Sequence, residues 1–128
     1  IFIPPYDNYK VIEGQATVGL EILEDLAHVD YLFVPVGGGG LASGVGSYFK
    51  TFSPATKIIG VEPAGAPSMT EAFKAGHPVV LKHIEHFVDG ASVNRAGDIT
   101  YSICKDVLPS IKINGHVGSF FDGICSLI

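Results

Sequence analysis

Tyr31-Leu32-Phe33-Val34-Pro35-Val36-Gly37-Gly38-Gly39-Gly40-Leu41 is the stretch on which the fold turns. Its first six residues form a continuous apolar run of the kind found in strands covered on both faces of a parallel sheet. Pro35 cannot donate a ladder hydrogen bond, so its place is near the strand's end, at the sheet margin. Four glycines follow and open into a helical stretch from Leu41 to Phe52, which Pro54 keeps from continuing.

The same alternation extends in both directions. Upstream, Ala16, Leu20, Leu23 and Ala27 recur at helical spacing and predict a helix from about Glu13 to Leu26, with Thr17, Glu21, Glu24 and His28 on a polar face. Downstream, Lys57 to Val61 reads as a strand and Met69 to Ala75 as a helix ended by Gly76 and Pro78. A loop around Asp89-Gly90, a helix from about Ile99 to Val107, a short strand at Ile111 to Ile113 and a last helix after His116 complete the series. The connections are too long for hairpins, which predicts an α/β domain on a mostly parallel sheet with helices on both faces.

The 128 residues suffice for one core, and with 47% hydrophobic and 16% charged residues the chain is too apolar to be disordered. A net charge of -5 leaves no broad basic surface for nucleic acid. The longest apolar run, Tyr31 to Val36, falls far short of the roughly 20 residues of a membrane-spanning helix, so no membrane partner is expected and the default location is the cytoplasm. Cys104 and Cys125 stand singly in helix-like stretches and read as reduced, buried thiols. The five histidines show no ligand spacing and are expected at surface or turn positions. Neither end has the character of a natural terminus, so the chain is expected to be an internal fragment.

Gly37 to Gly40 stand where the first N–H groups of a helix lack partners and the helix dipole is positive, a setting suited to an anion. A plain tight turn would also use glycine, but four in succession favour backbone approach to phosphate oxygens. A mononucleotide P-loop needs Gly-Lys-Ser or Gly-Lys-Thr, whereas Gly40 is followed by Leu41-Ala42-Ser43. The dinucleotide fingerprint matches better, as Gly37-x-Gly39-x-x-Ala42 with Glu62 ending the next strand, and leaves a NAD-binding segment as an alternative. The plainer reading of Glu62 is an exposed carboxylate at a strand end.

The flanking segments bring in a third template. Phe2-Ile3-Pro4-Pro5-Tyr6-Asp7, Val11-Ile12-Glu13-Gly14-Gln15-Ala16-Thr17, Val34 to Leu41, Gly60-Val61-Glu62 and Asp89-Gly90 together resemble, in order and spacing, the biosynthetic threonine dehydratases. These are pyridoxal-phosphate enzymes of the tryptophan-synthase-β type, fold type II. Serine dehydratases and serine racemases share the Gly-Gln-x-Thr and glycine-loop signatures; Ile3 to Asp7 and Gly97-Asp98 incline the resemblance toward threonine.

The resemblance implies that the amides of Gly37, Gly38, Gly39, Gly40 and Leu41 hold the cofactor phosphate and that Gly90 lies beside its ring. It implies an enzyme of isoleucine biosynthesis that converts L-threonine to 2-oxobutanoate and ammonia, assembled as a homo-oligomer. The lysine that binds the cofactor covalently lies, in the family, in a Ser-x-Phe-Lys-x-Arg-Gly segment that has no match here, so the chain alone is expected to be inactive, with no catalytic residue of its own. Gln15 and Thr17 fall at the start of a helix in the family's signature and are expected to cap free N–H groups there or to fix a neighbouring loop. Some relatives hold a divalent cation at positions matching Glu62, Ala66 and Ser68; Ser68 replaces a carboxylate there, and no metal is expected.

Overall fold

The computed structural model describes residues 2–114. The expected last helix after His116 and Cys125 lie outside the described residues. Helix α1 spans Tyr9–Asp25, strand β1 Tyr31–Pro35, helix α2 Gly40–Phe52, strand β2 Lys57–Pro63, helix α3 Ser68–Ala75, helix α4 Asp98–Val107 and strand β3 Ser110–Asn114. A single 3-10 turn covers Asp89–Ala91.

The three strands form a parallel sheet in the order β1-β2-β3, with Val34 opposite Gly60 and Gly60 opposite Ile111. This is the expected α/β class. Pro35 is the last residue of β1, an outer strand among the described residues, so its missing N–H breaks no rung within the strand; Val36 resumes the pattern by donating to Val61 O.

Alternation along the strands sends Val34, Val36 and Ile58 to one face, where they meet Val45 and Phe49 of α2, Met69 and Ala72 of α3, and Cys104 and Val107 of α4. Phe33, Ile59 and Val61 point to the second face and lie outside this cluster. Phe49 is wholly buried and is the largest side chain in the core. Its truncation to alanine is expected to cost about 3–5 kcal/mol, transfer and cavity together.

Helix α1 begins earlier than the apolar pattern indicated. Asn8 is its N-cap, and its side chain accepts the N–H of Lys10 at 2.8 Å. The buried positions of α1 are Ile12 and Gly19, whereas Leu20 is 40% exposed and Ala27 lies beyond the helix in the open. The expected stripe through Ala16, Leu20, Leu23 and Ala27 is therefore corrected. Glycines set the contact instead: Gly44 of α2 backs onto the carbonyl of Ile12 and the amide of Ala16, and a methyl at Gly19 would lie 3.1 Å from Tyr48 Cβ. The two helices approach closely because side chains are absent at those points, a signal hydrophobic periodicity does not carry.

Candidate functional site

The site is the turn that joins β1 to α2. Gly38, Gly39 and Gly40 are buried, while Gly37 and Leu41 are half-buried. Gly39 serves as N-cap of α2 with φ +95°, a left-handed conformation that strains any residue carrying a Cβ. The missing side chains are filled by neighbours. The Tyr6 ring packs where a Gly38 methyl would stand, Met69 and Thr100 occupy that position at Gly39, and Tyr6 again limits Gly40.

Every carbonyl of the first three glycines has a donor. Ser68 Oγ donates to Gly37 O at 3.3 Å, Thr100 Oγ1 to Gly38 O at 2.5 Å, and the N–H of Ser43 to Gly39 O at 2.9 Å. Two weaker donors add to these, Gly97 N–H on Gly38 O at 3.3 Å and Cys104 Sγ on Gly39 O at 3.7 Å. The amides behave oppositely. Among the described residues, no backbone or side-chain acceptor takes the N–H of residues 37–42.

Peptide planarity links the two observations. In a trans peptide the N–H points opposite to the carbonyl that precedes it. Carbonyls 37, 38 and 39 are drawn toward α3, α4 and the first turn of α2, so the N–H groups of Gly38, Gly39 and Gly40 are turned the other way. Buried amides seldom go unpaired. A run of them at a helix N-terminus is a donor set suited to a dianion such as phosphate, and it asks for no side-chain charge.

Gly90 lies in the short turn that abuts this loop. A methyl on Gly37 would come within 3.0 Å of Ala91 Cα, whereas one on Gly90 would meet nothing within 4 Å. The structure thus brings the turn containing Gly90 against the glycine run and leaves open space at Gly90 itself. All seven lysines are exposed.

Glu62 requires a correction. It is not an exposed carboxylate at a strand end but fully buried, and its two oxygens accept the N–H groups of Met69 at 2.7 Å and Thr70 at 2.8 Å. It caps α3, whose own N-cap residue, Pro67, offers no side-chain bond. Burial pushes its carboxyl above the ordinary value of 4.5, with the two amides opposing. Both oxygens are engaged away from solvent, so Glu62 cannot grip a ribose in the manner of a dinucleotide site. Ser68 bonds the glycine loop, and the Ala66 carbonyl accepts Ser68 N–H.

Gln15 and Thr17 do not sit at a helix start, because Asn8 places that start two turns earlier. Thr17 Oγ1 instead donates back to Gly14 O at 2.8 Å, and Gln15 lies half-buried beside Gly44. His28, His77, His83 and His86 are exposed, while His116 falls outside the described residues.

Sequence reasoning assigned no role to four side chains that shape the loop: Tyr6, Asp7, Ser68 and Thr100. Asp7 accepts the N–H groups of Asp98, Ile99 and Thr100 at 3.0, 2.8 and 3.2 Å and so caps α4 from the far end of the sequence. One signal was available, since Gly97, the N-cap of that helix, has no side chain to accept its free N–H groups. Cys104 is a buried free thiol, and burial pushes it up to about 11.

Known proteins share this fold. A family profile described as pyridoxal-phosphate dependent enzyme matches residues 1–112. The biosynthetic L-threonine dehydratase of Halalkalibacterium halodurans is 52% identical over 113 residues, which cover 88% of this chain and 27% of that protein. Among solved structures, the processed threonine deaminase isoform 2 of Solanum lycopersicum superposes with a TM-score of 0.86 at 44% identity, covering 88% of this chain and 33% of that one. Maize serine racemase gives a TM-score of 0.86 at 31% identity, over 95% of this chain and 38% of its own. The chain thus spans from about a quarter to two-fifths of the length of these relatives. With the match of the profile over nearly all its residues, the chain belongs to the family of pyridoxal-phosphate dependent enzymes.

Proposed function

We propose that this chain supplies the phosphate cup of a pyridoxal-phosphate-dependent threonine dehydratase, which converts L-threonine to 2-oxobutanoate and ammonia. The observation that carries the reading is the run of amides at residues 37–42 that have no acceptor among the described residues, backed by bonded carbonyls of Gly37, Gly38 and Gly39 on the opposite side. The N–H groups of Gly37, Gly38, Gly39, Gly40 and Leu41 would hold the phosphate, and Gly90 would lie beside the ring, in keeping with the open space at that residue. The cofactor, when bound, would supply the electron sink for removal of the substrate's Cα proton and loss of its β-hydroxyl.

The chain's own part is positioning. Fixed amide dipoles in a buried turn need no reorganisation when an anion arrives, and they set where everything attached to that anion sits. The covalent lysine would come from a segment outside the 128 residues, so this chain alone is expected to release no ammonia from threonine. Threonine is favoured over serine because the biosynthetic L-threonine dehydratase of Halalkalibacterium halodurans is 52% identical to this chain, against 31% for maize serine racemase. We extend the reading to a cytoplasmic enzyme built from identical subunits, in line with the relatives' biosynthetic role by name.

The test is keto-acid formation by a full-length protein carrying this chain, supplied with pyridoxal phosphate and offered threonine or serine in turn. Preferential formation of 2-oxobutanoate from threonine is expected. Racemisation of serine without keto acid would replace the reading with a racemase.

A further inference from the structure

We propose that Thr100 is a positioning residue for phosphate binding, aiming the amide of Gly39 through the carbonyl of Gly38, and that Asp7 sets Thr100 in place. The inference rests on the reading of residues 37–41 as a phosphate cup.

Thr100 is fully buried, and its hydroxyl makes the shortest of the bonds that hold the loop's carbonyls, 2.5 Å to Gly38 O. That bond fixes the plane of the peptide between Gly38 and Gly39, and so the direction of the Gly39 N–H. Thr100 also touches the next residue directly: a methyl on Gly39 would lie 2.9 Å from Thr100 Cβ. Without the hydroxyl, Gly38 O would keep, among the described residues, only the longer bond from Gly97 N–H at 3.3 Å, and the peptide would be free to tilt.

The hydroxyl is in turn only as well placed as the first turn of α4. Asp7 holds that turn by taking three successive N–H groups, including that of Thr100. Its neighbour Tyr6 packs on Gly38 and Gly40 and donates its hydroxyl to Arg95 O at 3.1 Å. One short segment therefore touches both the glycine loop and the start of the helix that braces it.

Misdirecting an amide weakens its bond to a charged phosphate but leaves contacts to the rest of the ligand alone. The decisive quantity is therefore the ratio of affinities for pyridoxal phosphate and for pyridoxal, which lacks the phosphate. In a full-length protein carrying this chain, Thr100→Val is expected to lower that ratio about tenfold, the scale of one charge-assisted hydrogen bond. Affinity for pyridoxal should be unchanged. Thr100→Ser retains the hydroxyl and should restore the ratio, and Asp7→Asn, with one acceptor oxygen left, should lower it about threefold by a partial loss of the same kind.

A wild-type protein that discriminates the two ligands beside a Thr100→Val variant with the same ratio would overturn the positioning role and leave the cup intact. Equal weakening of both ligands would also overturn it, by reducing Thr100 to a structural part. Should Thr100→Val fail to fold, an unchanged ratio in Asp7→Asn would decide against the proposal. A wild-type protein that binds both ligands alike would sink the cup itself.

Discussion

The carboxylate of Asp7 accepts the backbone N–H of Ile99 at 2.8 Å, across 92 positions of sequence. This contact ties the segment before α1 to the start of α4, and α4 carries the hydroxyl that steadies the glycine loop. Gly97 makes room for it, since any Cβ there would collide with the Asp7 carboxylate. The helix is capped by a distant residue because its own preceding residue has no side chain.

Asp7→Ala should therefore lower the stability of a full-length protein carrying this chain by about 1–2 kcal/mol, the usual worth of a lost N-cap. Equilibrium unfolding in urea checks this. A midpoint equal to that of the wild type would show that α4 holds its first turn without Asp7.

Two glycines with positive φ separate strain from collision. Gly76, at φ +79°, ends α3 where an added methyl would meet nothing within 4 Å, so Gly76→Ala should cost about 1 kcal/mol from backbone strain alone. Gly39, at φ +95°, would in addition press a methyl against Met69 and Thr100, so Gly39→Ala should cost about 3 kcal/mol or more. Thermal unfolding of the two variants side by side measures the difference. Equal losses would mean that the neighbours of Gly39 yield freely.

Much of the fold was legible in the chain, because strands of apolar residues and helices of period 3.6 announce themselves locally. The glycine loop was equally plain, since four glycines between such elements leave few readings. What the sequence withheld were the long-range partners. Glu62 looks like a strand-end carboxylate until α3 folds back and offers it the amides of Met69 and Thr70. The roles of Thr100 and Asp7 depend on α4 lying beneath the loop, which no spacing reveals. The face of α1 was misread for a related reason, as its contacts follow glycines rather than large apolar residues.

Glu62 also predicts a pH dependence. Its folded-state pKa is raised above 4.5, chiefly by burial, so in the window between the two values the folded protein binds more protons than the unfolded one. The contribution of Glu62 to stability is then fullest below 4.5 and declines as pH rises through the raised value. Glu62→Gln, which cannot titrate, should be destabilising by more in acid than at neutral pH, as read from urea midpoints of both proteins across that range. A cost that grows with pH would reverse the sign and contradict the burial argument.

Cys104 should resist alkylation in the native protein. Its thiol is buried and pushed up to about 11, so little thiolate exists at neutral pH and little of it is accessible. Iodoacetamide labelling, mapped by mass spectrometry to the peptide containing Cys104, should be slow in buffer and fast in denaturant. Rapid labelling without denaturant would show that the α2–α4 contact opens.

The central claim is that the main-chain amides of residues 37–41 grip a phosphate, and selective nitrogen-15 labelling of glycine and leucine in a full-length protein reads it most directly. Titration with pyridoxal phosphate should move the amide resonances of Gly37, Gly38, Gly39, Gly40 and Leu41 together, and titration with pyridoxal should leave them nearly in place. Resonances that stay fixed with the phosphate ligand, or that move alike with both, would contradict the account.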